Sequence, residues 1–298
     1  MSVVLVTGGA GFIGSALVRS LVADRIPVAV LDDLSSGDPT RLPPGVTLVE
    51  QDISMPETAS AVESLRPSVV VHAAAQISVT RSVADPERDH SVNVEGTRHV
   101  IDGARAGGCS RFIFISSGGA IYGEADGATE DAPANPANPY GRNKLAAEQL
   151  VAESGIPYAI ARLANVYGPG QRSDQEGGVV AIFALAVLAR RSVVIYGDGE
   201  QLRDFVYVDD VVDAIRKLVD SPRSGVCNVG TGEATSVHEL LAITERVAGG
   251  SIGHAHADAR AGEVRMSRLG VGRISAEVGW QPTVSLAEGL RLMLDQIR

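Results

Sequence analysis

Short apolar runs alternate with longer stretches of helical periodicity along the first half of the chain. Residues 3–6 (Val-Val-Leu-Val) form an unbroken run, rich in β-branched side chains, that stops at Thr7 and Gly8. A run that is apolar at every position, not at alternate ones, predicts a strand buried on both faces of a parallel sheet. The same reading places strands over 28–31, 47–51, 69–71, 112–116 and 158–162, and helices over 15–23, 57–65, 93–106 and 140–154. Strands alternating with helices of about 10–15 residues are βαβ units. The expected fold class is α/β: a Rossmann-type, doubly wound parallel sheet.

The pattern changes near residue 168. Glycine and polar residues dominate to 178, and then come a helix over 179–189, a strand over 193–196 and helices over 208–219, 237–247 and 286–297. Residues 249–273 are rich in Gly, Ala and Arg and weakly patterned. This predicts a nucleotide-binding domain over 1–167 and a smaller C-terminal α/β substrate domain over 168–298. Part of 200–235 is expected to return to the first.

Composition narrows the function classes. The 298 residues carry 26 Lys+Arg and 36 Asp+Glu, a net charge of −10. That balance argues against a nucleic-acid binder that neutralises phosphates, but leaves room for a small anion held by a few arginines. The apolar run 179–189 ends at Arg190 and Arg191 and falls short of the ~20 residues of a membrane span. The first residues show no basic segment followed by an apolar core, so no signal peptide is expected. Cys109 and Cys227 stand alone, without spacing for a metal site or a disulfide framework. A cytoplasmic protein without a bound metal is expected.

The 33 glycines are about 11%, above the usual ~7%. They cluster, and the first cluster carries chemistry. Gly8, Gly11 and Gly14 lie between a predicted strand and helix, where a glycine turn lets backbone N–H groups and the helix N-terminus meet a pyrophosphate. Asp32 ends the next strand, about 20 residues on. An acid there accepts hydrogen bonds from an adenosine ribose and repels a 2′-phosphate, which favours NAD over NADP. Asp52 and Ile53, after the third strand, are candidates to flank the adenine.

Tyr140 and Lys144 are four residues apart at a helix start and so share one face. An ammonium beside a phenol stabilises phenolate, and a bound nicotinamide cation adds to this. Tyr140 is therefore the candidate general base, with a lowered pKa expected.

With Thr7 to Gly14, Asp32 to Gly37, His72 to Gln76, Tyr140/Lys144, Arg162 to Pro169, Arg203 to Asp210 and Asn228 to Gly232, the chain resembles the extended short-chain dehydrogenase/reductase family. Within it, the nucleotide-sugar 4-epimerases are the most similar. The resemblance implies that Phe12, Ile13, Asp32, Asp33, Leu34, Ser35, Ser36, Gly37, Asp52 and Ile53 line an NAD site. Ala73, Ala74, Ala75, Gln76, Asn93, Ser116, Tyr140 and Lys144 complete it. It further implies that Ser117, Gly118, Tyr140, Asn165, Arg172, Val179, Val180, Ile195, Tyr196, Arg203 and Arg260 meet a UDP-sugar substrate. The implied reaction is C4 epimerisation of a UDP-hexose through a 4-keto sugar, with NAD tightly bound and regenerated each turnover. A homodimer through the helices over 93–106 and 140–154 is implied as well.

One position departs from the family pattern. Four residues before Tyr122 the family carries a Ser or Thr, and here stands Gly118. Either the adjacent Ser117 takes the role or the hydroxyl is dispensable. Gly118, Gly119 and Ala120 are also expected to open space beside the sugar. Dehydratases and decarboxylases of the family place carboxylates at the Gly119 and Ala120 positions, and neither is present, which favours epimerisation. Arg172 either meets a uronate carboxylate or points to solvent, so a UDP-glucuronate 4-epimerase is the alternative. Reductases and a non-catalytic NAD sensor are further readings.

Overall fold

The computed structural model describes residues 3–173, 178–259 and 264–297. The chain makes two compact units that interleave along the sequence. Met1–Ser117, Asn138–Arg162 and Val212–Cys227 form the first; Gly118–Ala137, Leu163–Val211 and Asn228–Arg298 form the second.

The first unit is built on a seven-stranded sheet. Its strand order is Gly225–Val229, Tyr158–Leu163, Arg111–Ser117, Val69–His72, Val4–Thr7, Val28–Asp32, Thr47–Glu50. The five strands from Arg111–Ser117 to Thr47–Glu50 pair in parallel. Leu5, Leu31, Val70 and Phe112 are all 0% exposed, which is why these runs are apolar at every position and not alternating. Helices Phe12–Ala23, Glu57–Leu65, Gly96–Ala106 and Pro139–Ala152 follow four of the strands. Gly103 lets two of them touch, because a Cβ there would collide with the Ala59 carbonyl and Val62. The helix expected over 93–106 begins at Gly96, after one wider π turn over Ser91–Glu95.

Strand order reverses at Val4–Thr7. The chain runs outward through Val28–Asp32 and Thr47–Glu50, then crosses back to set Val69–His72 on the other side of the first strand. A ligand crevice forms outside the carboxyl ends of strands at such a switch point. Here those ends are Thr7 and His72.

The second unit has a four-stranded sheet in the order Thr235–Ser236, Leu202–Arg203, Met266–Leu269, Ala125–Ala128. Two strand pairs accompany it: Asn165–Tyr167 with Phe205–Tyr207, and Val193–Tyr196 with His254–Ala257. Buried carboxylates fasten its loops. Asp204 accepts from Thr231 N (2.8 Å), Thr231 Oγ1 (2.6 Å) and Gly232 N (3.0 Å). Asp210 accepts from Thr283 N (3.1 Å), Thr283 Oγ1 (2.7 Å) and Val284 N (3.0 Å), while Trp280 Nε1 donates to its carbonyl.

Two expectations are corrected. The boundary does not fall at residue 167. Residues 118–137 belong to the second unit because Ala125–Ala128 pairs with Met266–Leu269, while 212–227, inside the 200–235 span expected to return, belong to the first. The weakly patterned stretch 249–273 contains the strands His254–Ala257 and Met266–Leu269. The first is exposed at all four positions, so burial left no apolar run to read.

Asp210→Ala would leave the Thr283 and Val284 N–H groups without acceptors. It should cost about 2–4 kcal/mol, seen as a lower urea midpoint. An unchanged midpoint would show that Asp210 does not hold the segment before the last helix.

Candidate active site

The first strand ends in a turn that only glycine permits. Gly8 has φ +67°, and a Cβ on it would stand 2.7 Å from Ala74 N. A Cβ on Gly14 would run into the Gly8 carbonyl, so the helix Phe12–Ala23 sits tight against the turn. Gly11 is the N-cap and supplies no side chain, and the first helical turn carries no acid. The N-terminal N–H groups therefore stand open to an anion.

Asp32 is 6% exposed. Its Oδ2 accepts from Ala10 N and its Oδ1 from Leu34 N, both at 2.9 Å. Burial pushes its pKa up, against these two hydrogen bonds. Asp32 thus braces the glycine turn against the loop 33–37, and Gly37 lies so close that a Cβ would stand 2.7 Å from Oδ1. Within that loop, Asp33 accepts from Ser35 N (3.0 Å) and Oγ (2.7 Å), while Ser36 is exposed. Asp52 is a paired acid. Burial raises its pKa, but Arg88 at 2.8 Å and Ser54 outweigh that and bring it below the usual range. Ile53 is buried under Gly96.

Across the switch point, Thr7 Oγ1 lies 2.6 Å from His72 Nδ1, and His72 Nε2 lies 3.0 Å from Thr97 Oγ1. Burial pushes the His72 pKa down to about 3, with Lys144 adding to the shift, so the ring is neutral. Residues 73–76 follow. Gln76 N donates to Asn93 Oδ1 (3.1 Å), Asn93 Nδ2 returns a bond to Gln76 O (2.9 Å), and Gln76 Nε2 reaches Asp89 Oδ1 (2.6 Å). Asp89, 1% exposed, also receives Asn93 Nδ2 (3.0 Å) and Asn143 Nδ2 (2.6 Å). This carboxylate ties residues 76 and 93 to the helix that carries Tyr140. Asp89, Asn143 and the His72 bridge were not among the residues expected from sequence.

That helix, Pro139–Ala152, starts on Asn138, whose side chain accepts from Gly141 N (2.9 Å), with Pro139 at its first position. Tyr140 and Lys144 lie one turn apart. The Ser117 hydroxyl stands beside the Tyr140 phenol and acts to lower its pKa. Lys144, 3% exposed, donates to Ile115 O at 2.7 Å and lies 4.1 Å from the centre of the Phe114 ring. Burial lowers Lys144 to about 8, against the pull of Glu148 and Asp89. Ser116 Oγ is buried and has no partner.

The expected low pKa of Tyr140 is corrected. Burial raises it to about 12; the Ser117 hydroxyl works the other way, and Asp89 adds to the rise. The Lys144 ammonium is committed to the Ile115 carbonyl. The protein's own groups keep the phenol protonated at neutral pH.

The open space expected at Gly118 and Gly119 is also corrected. A Cβ at 118 would stand 2.7 Å from Leu269 Cδ2, and one at 119 would stand 2.8 Å from Ser267 Oγ. These glycines admit the strand Met266–Leu269; they do not leave room for a ligand.

The remaining expected residues lie in the second unit. Asn165 N donates to Asp204 O (2.9 Å). Arg203 Nη1 donates to Leu202 O (2.9 Å). Tyr196 is 39% exposed, whereas Val180 and Ile195 are 1% exposed and pack inward. Val179 opens the helix Val179–Leu188, and Arg172 is exposed. Arg260 lies outside the described residues.

A glycine turn opening onto an uncapped helix, a buried acid on the next strand and an orphaned Ser116 hydroxyl fit a dinucleotide. Fold and site define a dinucleotide-binding protein of the Rossmann class. A model of the NAD dependent epimerase/dehydratase family matches residues 4–230, and the chain belongs to that family. It is 42% identical over 306 residues to a UDP-glucose 4-epimerase of Mycolicibacterium smegmatis, covering 99% of this chain and 98% of the relative. Two solved structures share the fold throughout. The UDP-glucose 4-epimerase of Thermotoga maritima with UDP-glucose has a TM-score of 0.96 and 40% identity, over 99% of this chain and 98% of that one. That of Thermus thermophilus in complex with NAD has a TM-score of 0.95 and 39% identity, over 99% of both chains.

Two measurements check these corrections. In nucleotide-free protein, the near-ultraviolet titration difference between wild type and Tyr140→Phe should show a phenol ionising well above pH 10, near 12. A midpoint below 9 would mean that Lys144 already holds a phenolate. Gly118→Thr, which restores the family's hydroxyl, should cost about 1–3 kcal/mol by overpacking against Leu269. Leu269→Ala in the same chain should recover part of that loss. Equal stability of Gly118→Thr and wild type would place free space at residue 118.

Proposed function

We propose that the protein interconverts the C4 epimers of a UDP-hexose of the glucose/galactose kind, with NAD retained through each turnover. The observation that carries this reading is the placement of Tyr140 one helical turn before the buried Lys144, with Ser117 beside the phenol at the end of an inner strand and in the same unit as the glycine turn. Bound NAD would supply the reversible oxidation of C4 and, through its positive nicotinamide ring, the charge that lowers the Tyr140 pKa.

The chain's own groups do the rest. Tyr140 takes the proton of the sugar 4-hydroxyl as C4 is oxidised, and returns it when C4 is reduced from the other face. Ser117 holds the phenol oxygen in place and shares its proton, the role that the absence of a hydroxyl at Gly118 leaves to it. Lys144, fixed by Ile115 and Phe114, holds its charge against the helix face below Tyr140. Residues 8–14 hold the pyrophosphate and Asp32 the adenosine ribose. In the second unit, Asn165, Tyr196, Arg203 and Arg260 are assigned to the nucleotide of the substrate. Arg172 is the residue that would admit a uronate. The working form in this reading is a homodimer, as the family resemblance implies, placed in a reducing cytoplasm by the two isolated cysteines.

Wild-type protein incubated with a panel of UDP-hexoses should give C4 epimers without added cofactor. Tyr140→Phe should abolish turnover while NAD still binds, and Ser117→Ala should slow it roughly 10²-fold. Near wild-type turnover by Tyr140→Phe would remove the base. A product altered at any position other than C4 would replace the reaction.

A further inference from the structure

The second unit gathers three imidazoles far apart in sequence. His254 and His256 are two residues apart on the strand His254–Ala257, which pairs with Val193–Tyr196, so their side chains share one face. His238 lies in the first turn of the helix Val237–Ala248. The three rings stand 5.3 to 5.6 Å apart, centre to centre. One nitrogen from each falls within 4.8 Å of the others. Both strand histidines are exposed, so core packing does not account for the cluster.

Hydrogen bonds set two of the three rings for a cation. His256 Nδ1 lies 2.7 Å from Gly197 O. A carbonyl only accepts, so Nδ1 carries the proton and Nε2 keeps its lone pair. His238 Nδ1 lies 3.2 Å from the Glu200 carboxylate, which fixes the same tautomer. The His238 Nε2 atom is buried and has no hydrogen-bond partner. A carboxylate or carbonyl behind Nδ1 and a lone pair on Nε2 is the arrangement that orients histidine toward a metal. The turn 197–200 is shaped around it: His238 N donates to Gly199 O (3.1 Å), and a Cβ on Gly199 would stand 2.5 Å from the imidazole.

We propose that His238, His254 and His256 bind one divalent first-row transition-metal ion, zinc by ligand chemistry, with Glu200 as a positioning residue. Three imidazoles at about 2.0–2.1 Å leave the fourth tetrahedral position to water. The ligand nitrogens of such a site stand roughly 3.4 Å apart, within reach of small side-chain rotations from the observed spacing. The ion would pin the exposed strand His254–Ala257 to the helix Val237–Ala248 and to the turn 197–200. Cysteine spacing, on which the expectation of no metal rested, carries no information about a site made of three histidines.

The test uses full-length protein without a histidine tag, stripped of metal by a chelator. Zinc titrated by calorimetry should bind at one ion per chain, and cobalt at the same stoichiometry should give the strong visible absorbance of a tetrahedral site. Zinc should raise the thermal midpoint. His254→Ala and His256→Ala should each weaken zinc binding more than 10-fold and remove that rise, and Glu200→Ala should weaken it roughly 10-fold. The far-ultraviolet circular dichroism of these variants should match the wild type, since all three replaced side chains are exposed. Cys109→Ser should bind as wild type. Zinc binding by the His254→Ala/His256→Ala double variant at wild-type affinity, or no zinc binding by the wild type, would overturn the proposal.

Discussion

Thr7 and His72 end the two strands between which the chain reverses its direction of travel across the sheet, and the 2.6 Å hydrogen bond between their side chains ties the carboxyl ends of these two inner strands together. Much of the site is hung from it. Thr7 also receives Ala73 N at its carbonyl (3.1 Å) and Ala74 N at its hydroxyl (3.3 Å), which brings the loop after the fourth strand down onto Gly8. That contact is close enough to exclude a side chain at position 8. On its other side, His72 reaches Thr97, whose hydroxyl bonds Asn93 O (2.8 Å). A charged imidazole could not sit there, and burial keeps it neutral.

From Asn93 the network passes through Asp89 to Asn143 on the helix Pro139–Ala152. The residues assigned to the cofactor and those assigned to proton transfer thus share one buried carboxylate. Such a network specifies geometry only if every member is satisfied. Asp89 meets that condition with three side-chain amides. Burial also shifts Tyr140 and Lys144 toward their uncharged forms, the phenol's pKa held high and the ammonium's held low.

Much of this was legible in the sequence. The inner strands were readable because both their faces are covered, which removes polar residues from the whole run. The glycine turn, Asp32 and the Tyr140/Lys144 pair were readable because their spacing is itself the requirement. Asp89 and Asn143 were not: they look like surface residues on polar helices, and only the packing turns them inward. The strand His254–Ala257 was invisible because it is exposed along its length, and Met266–Leu269 because four residues of alternating burial leave too short a signal. The glycines at 118 and 119 were misread as vacancy because sequence shows a missing side chain but not the neighbour that fills its place.

The excursion of residues 118–137 into the second unit has a consequence for how this architecture can vary. It departs immediately after Ser117 and rejoins at Asn138, two residues before Tyr140. Ser117 and Tyr140 therefore flank the base of a closed loop. Lengthening such a loop costs little, about 0.6 kcal/mol for each doubling, and the exposed residues 133 and 134 are where an insertion would disturb the structure least. Residues added in that stretch would enlarge the second unit while Ser117 and Tyr140 keep their places on the strand and helix of the first.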